Sequence, residues 1–304
     1  SAGREGAALQ LGGSIGNQLG RWFRFDEKDR RIVVMCGMSA AFSAIFGTPI
    51  AAVVFAMEVV SVGVMYYAAL LPCVIASIIA AEFATGVGLN PETFPVARIP
   101  QLSLESGLKM AVIAAGCGLL SILFCVALKA VSGIYGKYLK NPYLRVCVAG
   151  CLVIGITMLL GTGDYMGAGN ELIAKAVEQG KARPLDFLWK MILTAITMRA
   201  GYRGGEIVPA FSVGATFGCV AGGLLGFSPE VAAAASMVAL FCGVTNCPIA
   251  SMLISFELFG FSGAAYYLIA ISISYALSGY YSLYKDQTIV YSKYKARYIN
   301  KKTH

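Results

Sequence analysis

The sequence predicts an all-α membrane protein built from two inverted repeats with broken helices. Three observations carry that expectation. The composition is apolar and arranged in span-length runs, a pair of motifs recurs at nearly one spacing, and glycine and proline mark the starts of apolar runs. Of 304 residues, 58% are hydrophobic and 13% charged, and the mean hydropathy is +0.71. A soluble domain carries roughly a quarter charged residues.

Apolar runs occupy residues 32–63, 66–85, 110–131, 146–161, 185–198, 207–227, 231–260 and 264–283. A spanning helix needs about 20 such residues, within about 17–25. Runs 32–63 and 231–260 are far longer and contain prolines, so each is expected to fold back as a helix pair. Transmembrane strands would alternate apolar and polar residues in segments of about ten. The sequence has no such alternation.

The repeat organises the chain. The segment from Gly6 to Gly16 matches the segment from Val208 to Gly218, with Gly12 and Gly16 falling on Gly214 and Gly218, a shift of about 202 residues. Pro49-Ile50-Ala51 matches Pro248-Ile249-Ala250, a shift of about 199 residues. Each is followed by an apolar stretch that ends in a carboxylate, Glu58 or Glu257. Internal repeats of this kind are typical of secondary transporters, often related by a pseudo-two-fold axis in the membrane plane. About 100 residues, 104–204, precede the second glycine motif, including the amphipathic stretch 170–178. Almost nothing precedes the first. The first half of repeat one is therefore expected to be missing, and the chain to be the C-terminal part of a parent of roughly 400 residues. The expected units are 1–63, the C-terminal part of repeat one; 64–103, a span and connecting loop; 104–283, repeat two; and 284–304, a C-terminal helix with a basic tail.

The net charge of +8 lies mostly between spans and at the end. Arg21, Arg24, Lys28, Arg30 and Arg31 form one cluster; Lys285, Lys293, Lys295, Arg297, Lys301 and Lys302 form another. Basic stretches beside spans favour the cytoplasmic side, so the C-terminus is expected inside. No soluble domain presents this charge to nucleic acid. The opening residues show no basic-then-apolar leader. The nine cysteines read as small apolar packing residues, with Cys147 and Cys151 able to share a helix face. The one histidine, His304, argues against a zinc site or a Ser-His-Asp hydrolase. A membrane enzyme would need clustered His, Cys, Asp or Ser at facing positions, and none is visible.

Chemistry is expected at the helix breaks. Gly3-Arg4-Glu5-Gly6 precedes one apolar helix, and Gly204-Gly205-Glu206-Ile207-Val208-Pro209 precedes another. Proline suits a first helical turn, where its missing N–H costs little. Such a start leaves backbone N–H groups free, and with the helix dipole they form an anion site. A kink at a close helix contact is the simpler alternative. Glu5 fits two roles equally: it caps its helix, or it occupies the anion site and leaves when protonated or displaced.

These segments resemble the signatures of the CLC family of chloride channels and anion/proton antiporters. Gly3-Arg4-Glu5-Gly6-Ala7 is similar to GREGP, and Gly205-Glu206-Ile207-Val208-Pro209 to GxFxP. The stretches from Pro49 to Glu58 and from Pro248 to Glu257 resemble the family's paired Pro-Leu-x-Gly helices. Ser282-Leu283-Tyr284 resembles the segment that carries its central tyrosine. The resemblance implies a CLC-type fold and transport of small halide anions, with no cofactor. It implies that Glu5 is the external gate, that the backbone N–H groups of Ile207 and Val208 bind the central anion, and that Tyr284 closes the site from inside. Tyr284 also fits an interfacial tyrosine among Tyr280, Tyr281 and Tyr291. The implied setting is a homodimer in the lipid bilayer of a bacterial-type cell membrane, with a pathway in each subunit.

Departures from the pattern point within the family. Chloride/proton antiporters often carry two adjacent glutamates where this chain has Glu58-Val59. A glutamate before the apolar pair, here Glu206, resembles the fluoride/proton antiporter branch, whose motif reads roughly GEVTP. That branch has threonine where this chain has Val208. The resemblance therefore favours proton-coupled fluoride export, with a chloride channel or chloride/proton antiporter as the alternative and a non-transporting scaffold as the reading from another class. Glu206 fits an inner proton group, or a salt-bridge partner of Arg203 or Arg199. Glu58 and Glu257 fit helix-end structural carboxylates better than transport groups.

Overall fold

A computed structural model describes all residues except 90–92, 97–98, 285, 296 and 304. Lys285 and His304 thus lie outside the described residues. The described chain forms α1 (Glu5–Trp22), α2 (Glu27–Phe46), α3 (Pro49–Glu58), α4 (Leu70–Gly86), α5 (Leu104–Tyr138), α6 (Pro142–Leu160), α7 (Asn170–Gln179), α8 (Asp186–Ala200), α9 (Ile207–Leu224), α10 (Pro229–Thr245), α11 (Pro248–Phe259) and α12 (Ala264–Leu277). Three short strands, β1 (Ser61–Val62), β2 (Thr288–Tyr291) and β3 (Tyr298–Lys302), complete it. Among the described residues, four helical segments are long and apolar enough to cross a membrane: Tyr67–Gly86, Leu104–Tyr138, Pro142–Leu160 and Ile207–Leu224. Helix α5, with 35 residues, is about 52 Å long and must tilt or protrude from a hydrocarbon core of about 30 Å.

Both long apolar runs fold back, and the two reversals have the same chemistry. Helix α2 ends at Gly47 in the left-handed conformation (φ 66°), and α3 restarts at Pro49. Helix α10 ends at Asn246, also left-handed (φ 59°), and α11 restarts at Pro248. Asparagine is among the few side-chain-bearing residues that tolerate this conformation. Proline then opens the next helix at no hydrogen-bond cost.

The repeated glycines are packing contacts. A Cβ at Gly16 would collide with the Val33 carbonyl on α2, and one at Gly218 with the Ala232 carbonyl on α10. Helices α1 and α2, and likewise α9 and α10, therefore approach backbone to backbone. Aromatic rings join the two halves: Phe55 of α3 lies 5.7 Å from Phe241 of α10, and Phe46 of α2 lies 5.9 Å from Phe211 of α9. Helix α10 is buried from Val231 to Thr245, at the centre of the fold.

The expected C-terminal helix is corrected. Instead β2 and β3 pair antiparallel, with β2 also paired in parallel to β1. Thr288-Ile289-Val290-Tyr291 is β-branched and aromatic, a composition that favours extended backbone, and β1 offers an edge to pair with. Cys147 and Cys151 share a face of α6, but it is an exposed face, so they are not interior packing residues.

Candidate functional site

Two helix starts meet inside the fold. The backbone of Gly3 pairs with that of Gly205 in an antiparallel bridge, Gly3 N–H to Gly205 O at 2.9 Å and Gly205 N–H to Gly3 O at 2.6 Å. The bridge pins the N-terminus of α1 beside that of α9. Glu5, the first residue of α1, is 2% exposed. Its carboxylate lies against both bridging glycines: a Cβ on Gly3 or Gly205 would overlap Oε2. Backbone N–H groups of Glu5, Arg4 and Val208 face the carboxylate, and Val208 belongs to α9. Oε2 itself makes no hydrogen bond among the described residues. The carboxylate thus reaches from its own helix to the start of the second one.

Ile207 and Val208 open α9 and are each 2% exposed. First-turn N–H groups have no acceptor within their own helix, so these two amides can serve an anion, and the Glu5 carboxylate already faces that of Val208. A cavity of about 880 Å³ reaches Ile207, lined also by Glu206, Leu283, Tyr284 and Asp286, with Gln10, Ser14 and Asn17 on the α1 side. The structure therefore brings Glu206, Ile207 and Tyr284 to one cavity. Glu5 and Val208 lie beside it in the buried junction, and Gly6 touches both regions.

Of the two arginines, Arg199 pairs with Glu206: the guanidinium lies 3.0 Å from Oε1. Val59, at the C-terminal end of α3, offers only its carbonyl, which accepts from Gln287 Nε2 at 2.9 Å. Gln287 also donates to the Thr245 carbonyl at 2.7 Å and accepts from Asn246 Nδ2 at 3.0 Å. It ties the ends of α3 and α10 to the segment that carries Tyr284. Glu58 and Glu257 bond helix-start amides, as their structural reading requires.

Sequence reading missed Lys190. It is fully buried in α8 and donates to the carbonyls of Tyr165 at 3.1 Å and Gly167 at 2.9 Å. A lone cation inside the apolar run 185–198 was the available signal, since ionisable groups in such runs are costly and seldom idle.

The sequence model of the voltage-gated chloride channel family matches residues 1–279. The chain belongs to the CLC family. This CLC chain is 35% identical over 302 residues to a chloride/fluoride channel protein of Pseudomonas syringae pv. tomato, covering 97% of this chain and 66% of that protein. It is 27% identical over 273 residues to an H(+)/Cl(-) exchange transporter of Vibrio cholerae, covering 84% of this chain and 58% of the relative. The crystal structure of a CLC-type fluoride/proton antiporter matches with a TM-score of 0.90 and 34% identity, over 94% of this chain and 72% of that one. A slow cyanobacterial Cl-/H+ antiporter shares the fold, with a TM-score of 0.76 at 19% identity. The chain spans 66% and 58% of the lengths of the two curated relatives.

Proposed function

We propose that the full-length protein carries small inorganic anions across a bilayer, with fluoride leaving in exchange for protons. One observation carries the reading: the starts of α1 and α9 are locked together by the Gly3–Gly205 bridge, and the Glu5 carboxylate is held against both. A carboxylate in that position stands where a free anion would, and protonation or displacement frees the amide of Val208, next to that of Ile207, for the anion. Glu5 is then gate and proton carrier, Ile207 and Val208 are backbone ligands, and Tyr284 bounds the site from the cavity side. Glu206 receives the proton from that cavity. Similarity to a fluoride/proton antiporter at 34% identity supports the choice of ion.

The protein works as an integral membrane homodimer with its basic C-terminal segment in the cytoplasm. Exposed apolar side chains at Ile50, Leu71, Ile75, Ile79, Ile249 and Phe261 support a lipid- or subunit-covered face. One observation favours the chloride reading instead: Val208 supplies no hydroxyl to a small, strongly hydrated ion. Paired efflux of fluoride and chloride from liposomes, with proton flux recorded alongside, tests the assignment. Faster chloride than fluoride overturns the fluoride reading, and no anion flux at all returns the scaffold reading.

A further inference from the structure

Glu206 occupies the N-cap position of α9, where a side-chain oxygen can accept a bond from the first-turn amides. Here it makes no such bond. It turns instead to Arg199 in the last turn of α8, 3.0 Å away, with the two side chains only 16% and 22% exposed. Glu206 is also a shared wall. On one side lies the cavity with Ile207 and Tyr284; on the other lies a second cavity of about 500 Å³ that contains Arg145, Arg199, Tyr202 and Arg203. Arg199 Nε is buried and makes no hydrogen bond among the described residues.

We infer that Arg199 is a latch: it draws the ionised Glu206 carboxylate away from the start of α9, and protonation of Glu206 releases it. The inference rests on the reading of Glu206 as the inner proton group. While the pair is closed, Glu206 leaves the start of α9 to the Glu5 carboxylate or, once that is displaced, to the anion. A hydronium ion in the cavity transfers its proton to the carboxylate and becomes water. The neutral acid no longer attracts the guanidinium, and one side-chain rotation turns it toward the α9 amides or the cavity. Arg199 then faces the basic cavity beside Arg145 and Arg203, where it meets an incoming anion. Proton and anion are thereby made to compete through a single ion pair.

Among the described residues, charged and titratable groups face Glu206 from several packed elements. They are Arg199 from α8, Arg203 from the α8–α9 connection, Arg145 from α6, Cys125 from α5, Glu5 from α1, and Tyr284 and Asp286 from the segment after α12. Arg199 is paired directly with Glu206, so its removal eases protonation of that carboxylate. A cation in direct contact typically shifts a carboxylate by about one to three pH units.

The test uses the full-length protein in liposomes, with proton-coupled fluoride flux measured against pH. Arg199→Gln is expected to move the midpoint upward by about one unit or more. Arg199→Lys, which keeps the charge, is expected to restore most of the shift. In a Glu206→Gln background, Arg199→Gln should add no further shift. A uniformly lower rate with an unchanged midpoint would mean that Arg199 only supports the fold, and would overturn the latch. Isotope-edited infrared titration of the Glu206 carboxyl band, assigned by its loss in Glu206→Gln, reads the same midpoint without transport. An unshifted band in Arg199→Gln overturns the latch even where flux is lost. A shifted band in a protein that moves no protons leaves the latch intact and refutes the transport role of Glu206.

Discussion

Glu58 and Glu257 cap each other's helices. The Glu257 carboxylate, at the end of α11, accepts from the amides of Ile50 (3.0 Å) and Ala51 (2.8 Å) at the start of α3. The Glu58 carboxylate, at the end of α3, accepts from Ile249 (3.2 Å) and Ala250 (2.9 Å) at the start of α11. Such an exchange is possible only between antiparallel helices, so it records the inversion of one repeat against the other. Each carboxylate satisfies two amides that would otherwise be orphaned, and each meets the positive end of a helix dipole.

Removing either cap should therefore destabilise the fold without touching the anion site. Glu58→Ala leaves two amides unsatisfied at a site only 6% exposed, and is expected to cost about 1–3 kcal/mol. Glu257→Ala, which orphans the amides of Ile50 and Ala51, is expected to destabilise by a similar order. Thermal unfolding in detergent, followed by loss of the monodisperse peak, measures both. A Glu58→Ala protein as stable as the wild type would show that the caps are decorative.

Glycine substitutions should separate sites of close approach from open ones. Gly218→Ala drives a methyl into the Ala232 carbonyl and is expected to destabilise by about 1–3 kcal/mol. Gly223→Ala, in the same helix, meets nothing within 4 Å and should be neutral or stabilising by about 0.5–1 kcal/mol. The two unfolding temperatures, compared under one condition, test the assignment; equal shifts in the same direction would contradict it.

Glu5→Gln in the full-length protein is expected to uncouple anion movement from proton movement, or to abolish exchange. An amide neither takes up nor releases a proton at these pH values, and it mimics an anion poorly. Simultaneous records of fluoride and proton flux decide the point, and unchanged proton-coupled flux would remove Glu5 from the mechanism.

Val208→Thr should raise the ratio of fluoride to chloride flux in one liposome preparation. Fluoride exchanges a tight hydration shell for close donors, and a hydroxyl beside the α9 amides adds one. Should the ratio stay flat, the missing threonine no longer counts against the fluoride reading.

What the sequence determined by itself is the repeat and the places where the chain must break. Gly47, Pro49, Asn246 and Pro248 act through local backbone preferences, and Gly16 and Gly218 through the absence of a side chain; both leave direct marks in a string of residues. The apolar runs located the helices for the same reason. The pairing of β2 and β3 was not legible, because β2 also pairs with Ser61 and Val62, more than 200 residues away in sequence. Tertiary structure alone decided the partners of the charges. Glu206 had two candidate arginines and chose Arg199, and Lys190 took two carbonyls from the loop before α7. Glu5 turned toward a glycine bridge whose halves lie about 200 residues apart. Hydrogen bonds and ion pairs act over about three ångströms, so which buried groups satisfy one another depends on how the two repeats meet, a relation carried by no single stretch of the chain.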